Sequence, residues 1–305
     1  MTLATNIGSL SLPSPLLTGS GTFGHDATAL QFLNPGDVGA LVLKTVTPEP
    51  RHGNPSPRMV EYQGGILNSI GLENRGLAYW REKVAPELAH VPVTVIANAG
   101  GHTLEEFVVM VRAFDEMEGV AGIELNLSCP NVDGGTRFAT QVSALEEVVV
   151  ACRAATAKPM WVKLAPTVSH IQLLARAAES AGADALTVSN TYLGLLVDWK
   201  KGVPKLGRGY GGVSGLGIKP LTMRLVRECH QAVKIPIIAS GGATCAEDVL
   251  EFLVAGATAV QVGTAAFRSP GILSEMAGQL REACLAQEVT IQDLIGSLEW
   301  PETLD

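Results

Sequence analysis

No run of apolar residues in this chain approaches the ~20 that a membrane-spanning helix needs. The first stretch, Met1–Leu12, carries no Lys or Arg. A spanning segment and a basic-headed secretory signal are therefore not expected. Cysteine is scarce: Cys129, Cys152, Cys229, Cys245 and Cys284 are odd in number, scattered, and form no CxxC pair. That pattern argues against a disulfide framework and a zinc site, and it points to a reducing cytoplasm. HExxH is missing too, and His25, His52, His90, His102, His170 and His230 fall in segments read as helices or loops away from strand ends. Basic charge is short, with 22 Lys and Arg against 30 Asp and Glu, for a net charge of -8. A broad nucleic-acid footprint is not expected, although a few cations lining a pocket still suit an anionic substrate.

What the chain does have is a rhythm of short apolar runs that end in small or polar residues. Eight read as strands: Leu16–Ser20, Ala40–Lys44, Val93–Ala97, Gly122–Leu127, Met160–Leu164, Ala185–Ser189, Ile235–Ala239 and Ala259–Val262. Their near-continuous apolarity fits parallel strands buried on both faces. Helical spacing separates most of them, over Thr103–Met117, Ser143–Thr156, Val168–Ala181, Lys219–Val233, Ala246–Ala255 and Ile272–Ala286. Thr103 reads as an N-cap, and Ser143 with Glu146 as a capping box. Gly182 and Gly256 mark helix ends, while Pro92, Pro159 and Pro236 each precede a strand. Strand–helix alternation over 305 residues predicts an α/β fold, a (β/α)8 TIM barrel, as a single domain spanning 1–305. Long segments without this rhythm, about 45–76, 129–140 and 191–217, are expected to be active-site loops.

In such a barrel the loops after the strands build the functional face. Polar residues at those ends are Ser20, Lys44 and Thr45, Asn98, Asn126 with Ser128, Cys129 and Asn131, Lys163, Asn190 with Thr191, Ser240-Gly241-Gly242 and Gly263-Thr264. Gly-rich turns after the last two strands let backbone N–H groups approach a phosphate, though tight-turn geometry alone would also place Gly there. Lys44 and Lys163 close apolar runs, where a buried ammonium calls for an anion unless the chain snorkels to solvent. Asn98, Asn126 and Asn190 could pair with a ring of alternating C=O and N–H groups, or cap turns. Cys129, just past a buried strand and before Pro130, is the candidate base; the other four cysteines read as small buried hydrophobes.

Several motifs together resemble class 1 dihydroorotate dehydrogenases. They are Asn126-Leu127-Ser128-Cys129-Pro130-Asn131-Val132, Asn68-Ser69-Ile70-Gly71-Leu72 with Asn74, and Gly211-Gly212-Val213-Ser214-Gly215 followed by Ile218-Lys219-Pro220. Ser20-Gly21-Thr22-Phe23-Gly24, Gly135-Thr136-Arg137-Phe138 and Val197-Asp198 are similar to the 1B subclass, and the likeness runs from about residue 7 to about residue 287. Departures lie beside the signatures, at Ser189, Leu216-Gly217, Ala239-Ser240 and Ala165.

The resemblance implies oxidation of dihydroorotate to orotate on FMN, in pyrimidine biosynthesis. Cys129 would be the base, and Lys163 and Lys44 would complete the catalytic set. FMN would be held by Ser20, Lys44, Thr45, Asn98, Asn126, Lys163, Ser189, Gly215, Gly241, Gly242, Gly263 and Thr264. Substrate would meet Lys44, Asn68, Ser69, Ile70, Gly71, Leu72, Asn126, Asn190 and Thr191. No metal is implied, and neither nucleic acid nor a membrane. The expected assembly is a homodimer, or a heterotetramer with a subunit that carries FAD and an iron–sulfur cluster and passes electrons to NAD; this chain lacks a cysteine cluster for such a centre. Fumarate-linked class 1A chemistry is the alternative, with a tRNA-dihydrouridine synthase-like enzyme or a non-catalytic flavin barrel behind it. Class 2 enzymes use Ser as base and carry a membrane-binding extension, which Cys129 and the short N-terminus argue against.

Overall fold

Eight apolar runs become strands because both of their faces are buried. They are β1 (Leu16–Thr18), β2 (Ala40–Val42), β3 (Thr94–Ala99), β4 (Gly122–Asn126), β5 (Met160–Lys163), β6 (Ala185–Val188), β7 (Ile237–Ser240) and β8 (Ala259–Val262). All are parallel and close into a barrel in chain order, as expected from the sequence. The computed structural model describes residues 2–127 and 136–301.

Side chains alternate across a strand, so every second residue faces the barrel axis. At the amino-terminal end the inward set is apolar: Leu17, Val42, Ile96, Trp161, Ala185, Ile238 and Ala259 form one buried cluster. An antiparallel hairpin, Thr5–Ile7 with Leu10–Leu12, contributes Ile7 and Leu12 to this cluster and plugs that end. Two residues further along the same strands the inward positions turn polar. Lys44, Asn98, Lys163, Thr187, Ser240 and Gln261 lie there, with Glu124 beside them on β4. The barrel therefore has a dry plug below and a polar floor above.

The outer strand faces pack against helices α1 (Leu104–Asp115), α2 (Val142–Arg153), α3 (Ile171–Ser180), α4 (Lys219–Ala232), α5 (Ala246–Ala255) and α6 (Ile272–Ala286) through the larger core cluster. Thr103 caps α1 by accepting from Glu106 N at 3.2 Å. The capping box expected at Ser143 does not form. The preceding short helix, Thr136–Thr140, runs into α2, whose N-cap is Gln141 with no side-chain bond. Capping boxes occur instead at Cys245–Asp248 and Thr290–Asp293. Cys245 is exposed, which corrects its reading as a buried hydrophobe. Cys152, Cys229 and Cys284 are buried, and burial pushes the first two thiols up to about 12. Gly256 ends α5 in the left-handed region at φ 118°, and a Cβ there would lie 2.3 Å from His230.

Two of the segments read as loops contain strands. Met59–Tyr62, Gly65–Asn68, Gly211–Ser214 and Tyr192–Gly194 form an antiparallel four-stranded sheet. It welds the 45–76 insertion to the 191–217 insertion, with Gly212 opposite Asn68. The strands that join the two insertions, Gly65–Asn68 and Gly211–Ser214, are short, contain Gly and pair across 144 residues, so they leave little local periodicity to detect. Of the 129–140 segment, residues 136–140 are described; Phe138 anchors them, its ring edge-on to Phe107 at 6.0 Å.

Candidate active site

The carboxyl ends of the strands surround a cavity of about 400 Å³. That is within the range of small-molecule sites, roughly 300–1,000 Å³. Most of the residues singled out from the sequence meet on its wall. Ser20, Lys44, Thr45, Asn126, Lys163, Ser189, Asn190, Thr191, Gly215, Gly241, Gly242, Gly263 and Thr264 come from strand ends and the loops beyond, and Asn68, Ile70, Gly71 and Leu72 from the insertion. Ser69 and Asn98 lie behind the wall, 1% exposed each. Ser69 accepts from Asn54 Nδ2 at 2.8 Å, which braces the 68–72 turn. Asn98 accepts from Thr45 Oγ1 at 2.5 Å and donates to Glu124 at 2.6 Å. Cys129, with Ser128 and Asn131, lies outside the described residues.

One end of the cavity is a backbone cradle. Gly241 and Gly242 follow β7 at φ 119° and 103°, and a Cβ on Gly242 would sit 2.4 Å from the Lys219 backbone. Glycine alone fits there, which leaves the peptide N–H groups uncovered. Behind the cradle Lys219 bonds Asp248, which also accepts from the N–H groups of Thr244 and Cys245. Burial disfavours the Lys219 charge, but Asp248 and Glu251 more than offset this and hold its pKa above the usual lysine value. On the other side Thr264 Oγ1 donates to Ser214 Oγ at 2.8 Å, tying the loop after β8 to the inserted sheet. Glycine-opened backbone donors on this part of the wall suit a phosphate.

Two cations face the cavity from separate walls. Lys163 is 8% exposed and donates to Gln261 Oε1 at 3.2 Å, with Glu124 Oε1 at 3.8 Å. Lys44, on the neighbouring side, has a pKa lowered by burial, which Glu73 partly counters. His25 lies close enough to Lys44 to be affected: burial and the Lys44 charge bring it down to about 4. The imidazole is neutral at pH 7, so the charge at that edge belongs to Lys44. This corrects the sequence reading that set every histidine apart from the strand ends.

Opposite the cradle the wall is amide-rich. Asn190 Nδ2 donates to Asn126 Oδ1 at 3.1 Å, and Asn126 Nδ2 donates to Thr45 Oγ1 at 3.1 Å. Leu72 adopts φ 55° at the turn that lines the cavity, where a non-glycine residue is strained by about 1–3 kcal/mol. Asn74 holds it, donating to Leu72 O at 2.7 Å and to Thr47 Oγ1 at 2.8 Å while accepting from Gly76 N at 2.8 Å. A glycine cradle, a cation on the floor and an amide-lined wall lie on one continuous cavity.

A family model described as dihydroorotate dehydrogenase matches residues 2–284. The chain belongs to the dihydroorotate dehydrogenase family. It is 44% identical over 299 residues to a Trichlorobacter lovleyi protein named dihydroorotate dehydrogenase B (NAD(+)), catalytic subunit, covering 97% of this chain and 98% of that one. A protein of the same name from Carboxydothermus hydrogenoformans is 42% identical over 295 residues, covering 96% and 95%. The crystal structure of an Eimeria tenella dihydroorotate dehydrogenase in complex with ferulenol superposes with a TM-score of 0.81. At 23% identity, over 97% of this chain and 88% of that one, it bears on the fold alone.

Members of this family are flavin-dependent. The cavity fits such a cofactor on its own terms, through the glycine cradle and the buried Lys163. Among the described residues no group of three or more His, Cys, Asp or Glu side chains is placed to hold a metal, and no helix is long and apolar enough to cross a membrane.

Sequence reasoning missed two floor residues, Glu124 and Gln261, 0% and 2% exposed. A signal existed: each is polar inside an otherwise apolar strand. It also passed over the GxGxxG spacing of Gly19-Ser20-Gly21-Thr22-Phe23-Gly24. That run follows β1 but leads into a five-residue 3-10 turn, Ala27–Gln31, and not the long helix a dinucleotide fingerprint requires. Gly19, Ser20 and Gly21 instead line the cavity.

Proposed function

We propose that this chain oxidises (S)-dihydroorotate to orotate on bound FMN, as the catalytic subunit of an NAD-linked assembly. The observation that carries the reading is the single cavity in which a phosphate cradle, a buried lysine and an amide-lined pocket adjoin, in a member of this family. Gly241, Gly242, Gly263 and Thr264 would hold the FMN phosphate, with Ser20, Thr45, Ser189 and Gly215 along the cofactor and Lys163 at the electron-rich edge of the ring. When bound, FMN supplies the acceptor for the hydrogen and electron pair that leave C6 of the substrate. Asn68, Asn126, Asn190 and Thr191 would orient the pyrimidine ring through its alternating C=O and N–H groups, with the 69–72 turn closing over it. Lys44 would neutralise negative charge between cofactor and substrate. Cys129 would take the proton from C5.

Electrons then have to leave the chain. The relatives' names, catalytic subunits of NAD-linked enzymes, support a partner that carries FAD and an iron–sulfur cluster. Alternate residues Leu193, Leu195, Val197 and Trp199 are all exposed, Trp199 at 82%, leaving an apolar patch over two short strands and the turn that follows. Assembly into a homodimer or a heterotetramer would give that patch something to pack against. The test compares acceptors. Dihydroorotate-dependent NAD reduction is expected when the chain is purified with such a partner, and is expected to vanish for the isolated FMN-loaded chain. Efficient fumarate-dependent turnover by the isolated chain would contradict the NAD-linked assignment.

A further inference from the structure

The floor of the cavity holds a carboxylate with no role in the chemistry above. Glu124 projects from the middle of β4 and is fully buried. Its Oε1 accepts from Asn98 Nδ2 at 2.6 Å and lies 3.8 Å from Lys163 Nζ; its Oε2 accepts from Thr187 Oγ1 at 2.6 Å and Gln261 Nε2 at 2.7 Å. These partners come from β3, β5, β6 and β8. We propose that Glu124 is a positioning residue that orients both Lys163 and the substrate-facing amides Asn126 and Asn190, through two hydrogen-bond branches that end on its carboxylate. The inference rests on the functional reading above.

The direction of every bond follows from the carboxylate. An ionised carboxylate only accepts, and an ammonium only donates. On the first branch Asn98 must therefore turn its amide nitrogen to Glu124, which leaves its oxygen for the Thr45 hydroxyl at 2.5 Å. Having donated, Thr45 Oγ1 accepts from Asn126 Nδ2, and Asn126 Oδ1 accepts from Asn190 Nδ2, each at 3.1 Å. All four donors point toward Glu124. On the second branch Gln261 turns its oxygen to Lys163 at 3.2 Å, so its nitrogen faces Glu124. The two amides are locked from opposite sides, and neither can flip without setting donor against donor or acceptor against acceptor. A neutral amide in place of Glu124 both donates and accepts. It would release the direction of the first branch and remove a negative charge 3.8 Å from the Lys163 ammonium.

The test uses the FMN-loaded chain and two readouts that need no turnover. One is the flavin midpoint potential; the other is the dissociation constant for orotate, read from the flavin absorbance change. Glu124→Gln is expected to raise the potential, because removing a negative charge favours the more negative, reduced cofactor. It is also expected to weaken orotate binding by roughly tenfold or more, the scale of one hydrogen bond to a charged group. Wild-type values for both would overturn the proposal. Should Glu124→Gln fail to fold, the branches are cut singly. Gln261→Met is expected to move the potential and spare orotate affinity, and Thr45→Val to weaken orotate binding; Gln261→Met at the wild-type potential together with Thr45→Val at wild-type affinity would overturn it. A wild-type protein that binds FMN but not orotate would instead sink the functional reading, and the potential of Glu124→Gln would still decide what Glu124 does.

Discussion

Cys129→Ala is expected to yield a flavin-loaded protein whose reduction by dihydroorotate is slowed about 10²–10⁴-fold, the usual worth of a general base. The proton at C5 lies next to a carbonyl and leaves only if a base receives it as hydrogen departs C6. The asparagine amides proposed to meet the substrate are not basic. A thiol with a reference pKa of about 8.5 is thiolate in a small fraction at neutral pH and is strongly nucleophilic and basic in that form. The wild-type rate of flavin reduction should therefore climb with pH and level off as the thiol ionises, while Cys129→Ala loses that dependence. Asn126, on the cavity wall, lies three residues before it. Near-normal flavin reduction by Cys129→Ala in stopped-flow absorbance would remove this residue from its role.

Lys163→Met should damage both stability and redox behaviour. Lys163 and Glu124 are both nearly sealed from water. Removing one partner of a buried pair leaves the other uncompensated, at a cost of about 3–5 kcal/mol. Denaturant unfolding should report a loss of that order. Losing the cation also removes the charge that favours a negative reduced cofactor, so the flavin potential should fall, or FMN should be retained less well, opposite in sign to the shift expected for Glu124→Gln. A destabilised protein with an unchanged potential and full FMN content would leave Lys163 as half of a structural ion pair and nothing more.

The barrel was legible because its strands are buried on both faces, and burial writes itself as apolar runs. All eight strands lie within about two residues of where the sequence puts them. The ends slipped for a chemical reason. Ser20, Lys44 and Ser189 were read as strand, but β1, β2 and β6 stop one or two residues earlier. At those points the chain turns outward to present polar groups to the cavity. Much of the wall was visible for the same reason, as a polar residue at a strand end. The floor was less visible: Glu124 and Gln261 sit inside strands, where an apolar context drew attention to their neighbours. Their inward placement follows from counting by twos, Gly122 to Glu124 to Asn126 and Ala259 to Gln261. The inserted sheet was not legible, because its strands are only three or four residues long and the pairing that joins the two insertions, Gly65–Asn68 with Gly211–Ser214, links segments far apart in the chain. Ser143 was misread because a capping residue is known by where the helix begins, and the preceding turn of helix sets that start.

Anaerobic addition of dihydroorotate to the purified, FMN-loaded chain addresses the central claim most directly. The flavin absorbance near its visible maximum should bleach, with one equivalent of orotate formed per flavin reduced and no other protein present. A flavin that stays oxidised under excess substrate would contradict the account.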